Sequence, residues 1–147
     1  MKSLVLLALL FPSAIFAAEI KPADPRTPIF RIYVAFVAPT QQRTVAGPQV
    51  TFDPKHPLLV VWSARDVRLT PDRNGIIFAL NEKDTKTFAA ASRKFDRGLL
   101  VVEGQGSVLS AMQITEPLNN GAFEFKNPDD AKVVQYLRRR FNLAGPR

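Results

Sequence analysis

The fold is decided by residues 81–125, which read NEKDTKTFAAASRKFDRGLLVVEGQGSVLSAMQITEPLNNGAFEF. Asn81 is a favourable helix N-cap, and Gly98 is a typical helix end. Between them, five side chains recur at helical spacing and predict the buried stripe of the helix: Thr85, Phe88, Ala89, Ser92 and Phe95. The uninterrupted apolar run at residues 99–102 predicts a central strand covered on both faces.

Turn signals divide the remainder of this stretch into further strands. Residues 104–106 (GQG) predict a tight turn, residues 108–115 a long strand, and residues 122–125 a short one. Strict alternation along the long strand places its side chains on two opposite faces. One face carries Val108, Ser110, Met112 and Ile114, and the other carries Leu109, Ala111, Gln113 and Thr115.

The segments on either side complete the predicted fold. Before it, strands are predicted at residues 29–37 and 76–80, and residues 58–62 and 66–69 form either one bent strand or two. A turn at residues 70–75 joins the last of these segments to residues 76–80, which predicts an antiparallel hairpin. After it, Asn127 as N-cap and Pro128 in the first helical position predict a second helix. Because each helix has one apolar face, we expect an α+β fold: a mixed, mainly antiparallel sheet with two helices packed on one face.

The N-terminal residues predict export. A positive start at Lys2 precedes an apolar run of about 14 residues and then Ala17 and Ala18, the pattern of a cleaved secretory signal peptide. The run is short of the ~20 residues that span a bilayer. We therefore expect a signal peptide at residues 1–18, a proline-rich leader and N-terminal strand at residues 19–57, and an α+β domain at residues 58–147. The expected location is periplasmic or secreted, with no transmembrane segment in the mature chain.

Composition restricts the chemistry. The chain has no cysteine, which excludes disulfides and thiol-based sites. Without Lys2, 19 of the 20 Lys and Arg side chains remain against 13 Asp and Glu, a net charge of about +6. Such a charge suits acidic partners or a weak contact with an anionic membrane surface. It does not by itself indicate nucleic acid, because basic residues are not interleaved with aromatic ones on one face. We expect no nucleic-acid partner.

Three motifs then follow one another in a specific order. These are the hairpin LTPDRNGIIFALN, the helix EKDTKTFAAASRKF, and the segment RGLLVVEGQGSVLSAMQITEPLNNGAFEF, followed by a capped helix. In this order, residues 67–141 resemble the periplasmic head subdomain of the SecD/SecDF protein-export factor. The family's valine-leucine-serine-alanine segment after a glycine turn corresponds to residues 108–111, with Ile114, Glu116-Pro117 and Gly121 following. One departure is Met112, where that family usually has proline.

The resemblance implies a stand-alone, exported version of this head. SecD-type proteins use membrane helices to couple proton flow to the release of translocating chains, and such helices are missing from residues 19–147. The resemblance therefore implies a non-enzymatic binding or assembly domain whose partner is a polypeptide or an envelope protein. We predict partner binding by apolar side chains on adjacent strands: Met112, Ile114, Phe123 and Phe125. A possible anionic-surface site is the arginine cluster, Arg138, Arg139 and Arg140.

Catalytic and metal-binding alternatives have little support in the sequence. His56 is the only histidine, and with Asp53 it supplies too few ligands for a metal site. Ser110 lacks the Gly-x-Ser-x-Gly setting of a hydrolase nucleophile. We therefore expect no enzyme activity, cofactor or metal. Two alternatives remain open: a basic periplasmic protein that binds anionic lipid or polyanion, and an uncharacterised hydrolase.

Overall fold

A computed structural model describes residues 20–37, 50–95, 98–113 and 119–144. The predicted signal peptide at residues 1–18 and the candidate binding residue Ile114 lie outside these ranges. Within them, eight strands and two helices follow one another: β1 (Phe30–Val37), β2 (Val50–Phe52), β3 (Leu59–Val61), β4 (Ala64–Leu69), β5 (Gly75–Leu80), α1 (Glu82–Lys94), β6 (Leu99–Gly104), β7 (Ser107–Gln113), β8 (Ala122–Lys126) and α2 (Ala131–Arg140).

The larger sheet is built around β6. Its strand order is β2-β1-β6-β7, and β3 also pairs with β1. Tyr33 of β1 lies opposite Val101 of β6, and Val101 lies opposite Ala111 of β7. Leu100, Val101 and Val102 are all buried, which confirms the central strand predicted from the apolar run.

The smaller sheet has the order β4-β5-β8. β4 and β5 form the predicted antiparallel hairpin, whose turn is closed by side-chain hydrogen bonds. The Thr70 hydroxyl donates to Asp72 at 2.5 Å, and the Gly75 amide donates to Thr70 Oγ1 at 2.9 Å. The turn residues therefore satisfy their own polar groups.

The first helix begins as predicted and the second does not. Asn81 Oδ1 accepts a hydrogen bond from the Asp84 amide at 2.8 Å, the expected N-cap geometry for α1. The prediction that Asn127 caps α2 is wrong, because the chain makes a turn at residues 127–130 and α2 begins at Ala131. In that turn Asp130 bonds to Lys126 twice, through its amide and its carboxylate. These bonds displace the helix start beyond Pro128.

The α+β class is confirmed, and the strands are divided between two sheets whose strand pairs, in the described ranges, are all antiparallel. One face of each sheet contributes to a common core, in which the rings of Phe30 and Phe78 meet at 5.1 Å. Phe88 of α1 and Leu137 of α2 complete that core. Both sheets therefore share one interior, and β7 and β8 each form an edge of their own sheet.

Candidate functional site

β7 is an edge strand without the usual protection against pairing. Among the described residues, β6 is its only strand partner. Its sequence, SVLSAMQ, has neither charge nor proline, the residues that normally discourage an edge from pairing with another chain. The other edge strands are short or charged. β2 and β3 have only three residues each. β4 carries three charged residues, and β8 carries Glu124 and Lys126. β7 is thus the long, uncharged edge of the described structure.

A register shift in β7 changes the face of the sheet to which some of its side chains point. Ser110 lies opposite Val102 and Val108 lies opposite Glu103, so Leu109 is an extra residue in β7. Strict alternation placed Leu109 on the face opposite Met112, but both side chains pack against the main core. Val108 is left 46% exposed at the beginning of the strand. The irregularity could not be read from the alternating pattern, since it depends on pairing with β6.

Three of the four apolar residues predicted to bind a partner lie at a narrow cleft of about 10 Å³ between the two sheets. Met112 and Phe123 are half-buried and line this cleft together with Phe125. The rings of Phe123 and Phe125 stack at 5.9 Å, and Phe88 meets Phe123 edge-on at 5.5 Å. Phe125 is only 4% exposed and is a core residue in this conformation. The structure therefore brings Met112 and Phe123 together at a small apolar gap, whose other lining side chains belong to the core.

The three arginines of α2 do not share one exposed surface. Arg139 is exposed, and Arg138 is half-buried with Nη2 donating to the carbonyl of Arg73 at 2.6 Å. Arg140 is 6% exposed and donates to Thr27 and Pro28. Consecutive helical residues are separated by about 100°, which explains why neighbours have different surroundings. Of the predicted cluster, Arg139 is the residue most accessible to an anion.

A basic groove separates the start of β7 from α2. It has a volume of about 340 Å³, and its walls include Ser107, Val108 and Leu109 on one side and Lys132, Gln135 and Arg139 on the other. Its described lining contains no carboxylate. Neither cation forms an ion pair with another described residue. Lys132 and Gln135 were not among the predicted site residues. Their spacing with Arg139 puts all three on one helix face, but the sequence did not show which strand that face meets.

The β6–β7 turn is fixed by the buried carboxylate of Glu103. It accepts hydrogen bonds from the Tyr33 hydroxyl at 3.3 Å and from Arg31 at 3.4 Å, and its other oxygen accepts from the Gly106 amide. Burial raises the pKa of Tyr33, and the Glu103 charge raises it further. Burial also raises the pKa of Tyr136, although Arg140 opposes this. These contacts hold the turn, and so the beginning of β7, in a defined position.

Of the remaining sequence candidates, His56 and Asp53 lie apart from β7, and Ser110 lies within it. His56 Nδ1 is 2.6 Å from Asp53 Oδ2, and this hydrogen bond holds the pKa of Asp53 below its usual value. Both side chains are exposed between β2 and β3. In the part of the chain that the structure describes, no three His, Cys, Asp or Glu residues cluster as metal ligands. Ser110 lies within β7, opposite Val102.

Neither α1 nor α2, the helices of the described ranges, is long and apolar enough to cross a membrane. The sequence matches no protein-family model and no curated protein. Among solved structures, the fold is similar to that of a chain described as SecDF, a membrane component that enhances protein export, with a TM-score of 0.52 and 14% identity. The match covers 77% of this chain and 63% of that chain, so this chain spans less than two thirds of it. A SecDF-like fold is confirmed.

Proposed function

We propose that this chain is an exported, non-enzymatic domain that binds extended polypeptide by adding it as a strand to the open edge of β7. The partner would be an unfolded exported chain or a segment of an envelope protein. The observation that carries the proposal is the seven-residue, uncharged edge of β7 beside an apolar cleft. The SecDF-like fold supports a connection with protein export, because the similar chain is described as enhancing it.

The backbone of β7 supplies the affinity in this proposal. An edge strand presents unpaired N–H and C=O groups, and an added strand bonds to them whatever its side chains are. Four side chains of β7 are exposed to solvent, so an incoming strand could lie beside them: Ser107, Val108, Ala111 and Gln113. The binding would thus tolerate varied sequences, as a protein that meets unfolded chains requires.

The half-buried side chains of Met112 and Phe123 supply a preference for apolar side chains, which would pack over them because the cleft itself, at about 10 Å³, is too small to admit a side chain. Side chains of the added strand alternate between its two faces, so every second one would point to the face of the sheet that carries Met112. Met112 is unbranched and polarizable, and such a side chain adapts to differently shaped partners. Apolar area buried there would contribute about 25 cal/mol per Å². Phe123 would provide the second wall, with Phe125 supporting it from the core.

Backbone methylation of a peptide tests strand addition directly. A fluorescent nine-residue peptide of alternating Thr and Val would be compared with two methylated forms. One is methylated on the backbone nitrogens of alternate residues, which blocks one edge of the strand, and the other on four consecutive central residues, which blocks both edges. Each lost hydrogen bond costs about 1 kcal/mol, so the form with both edges blocked should bind the full-length chain at least roughly tenfold more weakly than the form with one free edge. On binding the unmethylated peptide, alternate β7 amides should gain protection from hydrogen exchange.

A matched pair of protein variants locates the site. Ala111→Lys places a charge on the open edge, and Ala90→Lys makes the same change on an exposed position of α1. Edge lysines discourage strand pairing, so only Ala111→Lys should weaken binding of the neutral peptide, by several-fold. Equal affinities of the two variants, or equal binding of the peptides with one and with both edges methylated, would show that β7 is not the binding edge.

A further inference from the structure

We propose that the strand bound by β7 carries an acidic side chain, which the groove between β7 and α2 binds through Lys132 and Arg139. This inference rests on the proposed strand addition and specifies its ligand. The groove adjoins the first three residues of β7, so a strand that extends the sheet there must pass beside the opening of the groove.

The polar side chains of α2 that line the groove lie on one face of the helix. Lys132, Gln135 and Arg139 are separated by three and four residues, which places them on one face of the helix. Tyr136, between them, is turned inward and donates its hydroxyl to the carbonyl of Ile29 at 2.6 Å. The inward contact fixes the rotation of α2, so its polar face is held towards the groove.

Close packing at Gly104 brings this face near to β7. A side-chain carbon at Gly104 would lie 2.8 Å from the Tyr136 ring and 2.7 Å from Leu109. Contacts that short would force Leu109 and the buried Tyr136 ring to shift, so a glycine here permits α2 and the β6–β7 hairpin to approach closely. The cations of α2 consequently lie beside the edge along which the new strand would run.

The positive charges of the groove favour a carboxylate as its ligand. Lys132 and Arg139 have no ion-pair partner among the described residues, and no described carboxylate lines the groove. Side chains on one face of an added strand recur every second residue. A glutamate or aspartate opposite Val108 or Leu109 would therefore place its carboxylate in the groove, while the residues further along would face the apolar cleft at Met112.

The same residues suit a flat anionic membrane less well. Arg140 is buried and Arg138 is bound to the carbonyl of Arg73, so the arginine cluster does not present three free cations to one plane. The groove is concave, with the apolar side chains of Val108 and Leu109 in its wall. A side-chain carboxylate on an extended segment fits this shape, and a membrane is kept as an outcome of the test.

The test compares two peptides and two double variants. The peptides are the neutral Thr/Val peptide with glutamine or glutamate at its central position, and binding to the full-length chain is followed by fluorescence anisotropy. At an ionic strength of about 0.01 M, the glutamate peptide should bind roughly fivefold more tightly. Lys132→Gln/Arg139→Gln should abolish that preference, whereas Arg26→Gln/Lys83→Gln, which removes two exposed cations elsewhere, should preserve it.

Each outcome decides one of the two proposals. If the glutamine peptide binds and the glutamate peptide binds no more tightly, the acidic preference is wrong and strand addition stands. If the preference survives Lys132→Gln/Arg139→Gln, the groove is not its source. If neither peptide binds, the proposed function fails. If instead phosphatidylglycerol vesicles bind in a way that Lys132→Gln/Arg139→Gln abolishes, the groove is a membrane contact and this inference is overturned.

Discussion

Replacing Arg140 with methionine tests whether this arginine is a structural anchor rather than part of a charged surface. Its guanidinium donates to the Thr27 carbonyl, to the Thr27 hydroxyl at 2.7 Å and to the Pro28 carbonyl at 3.3 Å. The Ala23 amide also donates to the Arg140 carbonyl at 3.2 Å. The Arg140 side chain therefore holds Thr27 and Pro28 against the end of α2, and its loss should loosen the chain there, although the backbone bond to Ala23 does not depend on the side chain.

The expected cost follows from these contacts. Hydrogen bonds from a charged group contribute about 1.5–3 kcal/mol each, but methionine avoids the desolvation of a guanidinium that is 6% exposed. Arg140 Nε is buried with no partner, so part of that desolvation is uncompensated. We expect a net loss of about 3 kcal/mol in the free energy of unfolding. For a domain of this size, that lowers the Tm by roughly 10 °C.

The matched control is Arg139→Met, the same substitution one residue earlier at an exposed position. Urea unfolding followed by Trp62 fluorescence gives the two free energies, and mass spectrometry after brief trypsin treatment measures cleavage after Arg26. Arg140→Met should accelerate that cleavage and Arg139→Met should not. If the two variants unfold within about 0.5 kcal/mol of each other, or Arg26 is cleaved at equal rates, Arg140 is not the anchor.

Two further predictions concern the interior. Gly121→Ala should destabilise the fold by roughly 2 kcal/mol more than Gly106→Ala in urea unfolding, because both glycines have positive φ but only at Gly121 would an added carbon clash with Thr85. Equal costs would refute the clash. The raised pKa values of Tyr33 and Tyr136 give stability that is complete below pH 10 and is lost as pH rises through the folded-state values. Tyr33→Phe/Tyr136→Phe should therefore lose less stability than the parent between about pH 9 and 11, and parallel pH curves would contradict this.

Much of the fold could be predicted because its signals are local. The cap at Asn81, the apolar run of β6 and the turn at residues 70–75 each act within a few residues, and the structure confirms all three. The start of α2 could not be predicted from Asn127 and Pro128. There, Asp130 bonds back to Lys126 and closes a turn that competes with the helix cap.

The candidate site was predictable only in part. Met112 and Phe123 were predicted as neighbours on adjacent strands, and the structure places both at one cleft although their strands belong to different sheets. Lys132 and Gln135 were missed, because a helix face with cations is ordinarily solvated and gives no sign of a groove. Whether Met112, Phe123 and the groove bind a partner stays a prediction.

The sequence by itself determined the element types, the central place of β6 and the α+β class, since periodicity, capping and turn chemistry are short-range. Tertiary structure alone decided that β7, among the described strands, is an edge without protection, that Leu109 turns inward, and that Arg140 is buried while Arg139 is exposed. Each of these depends on contacts between distant parts of the chain, such as Arg140 with Thr27. Such contacts form only when the sheets and helices close over one core, and a local pattern does not encode which surfaces will then remain open.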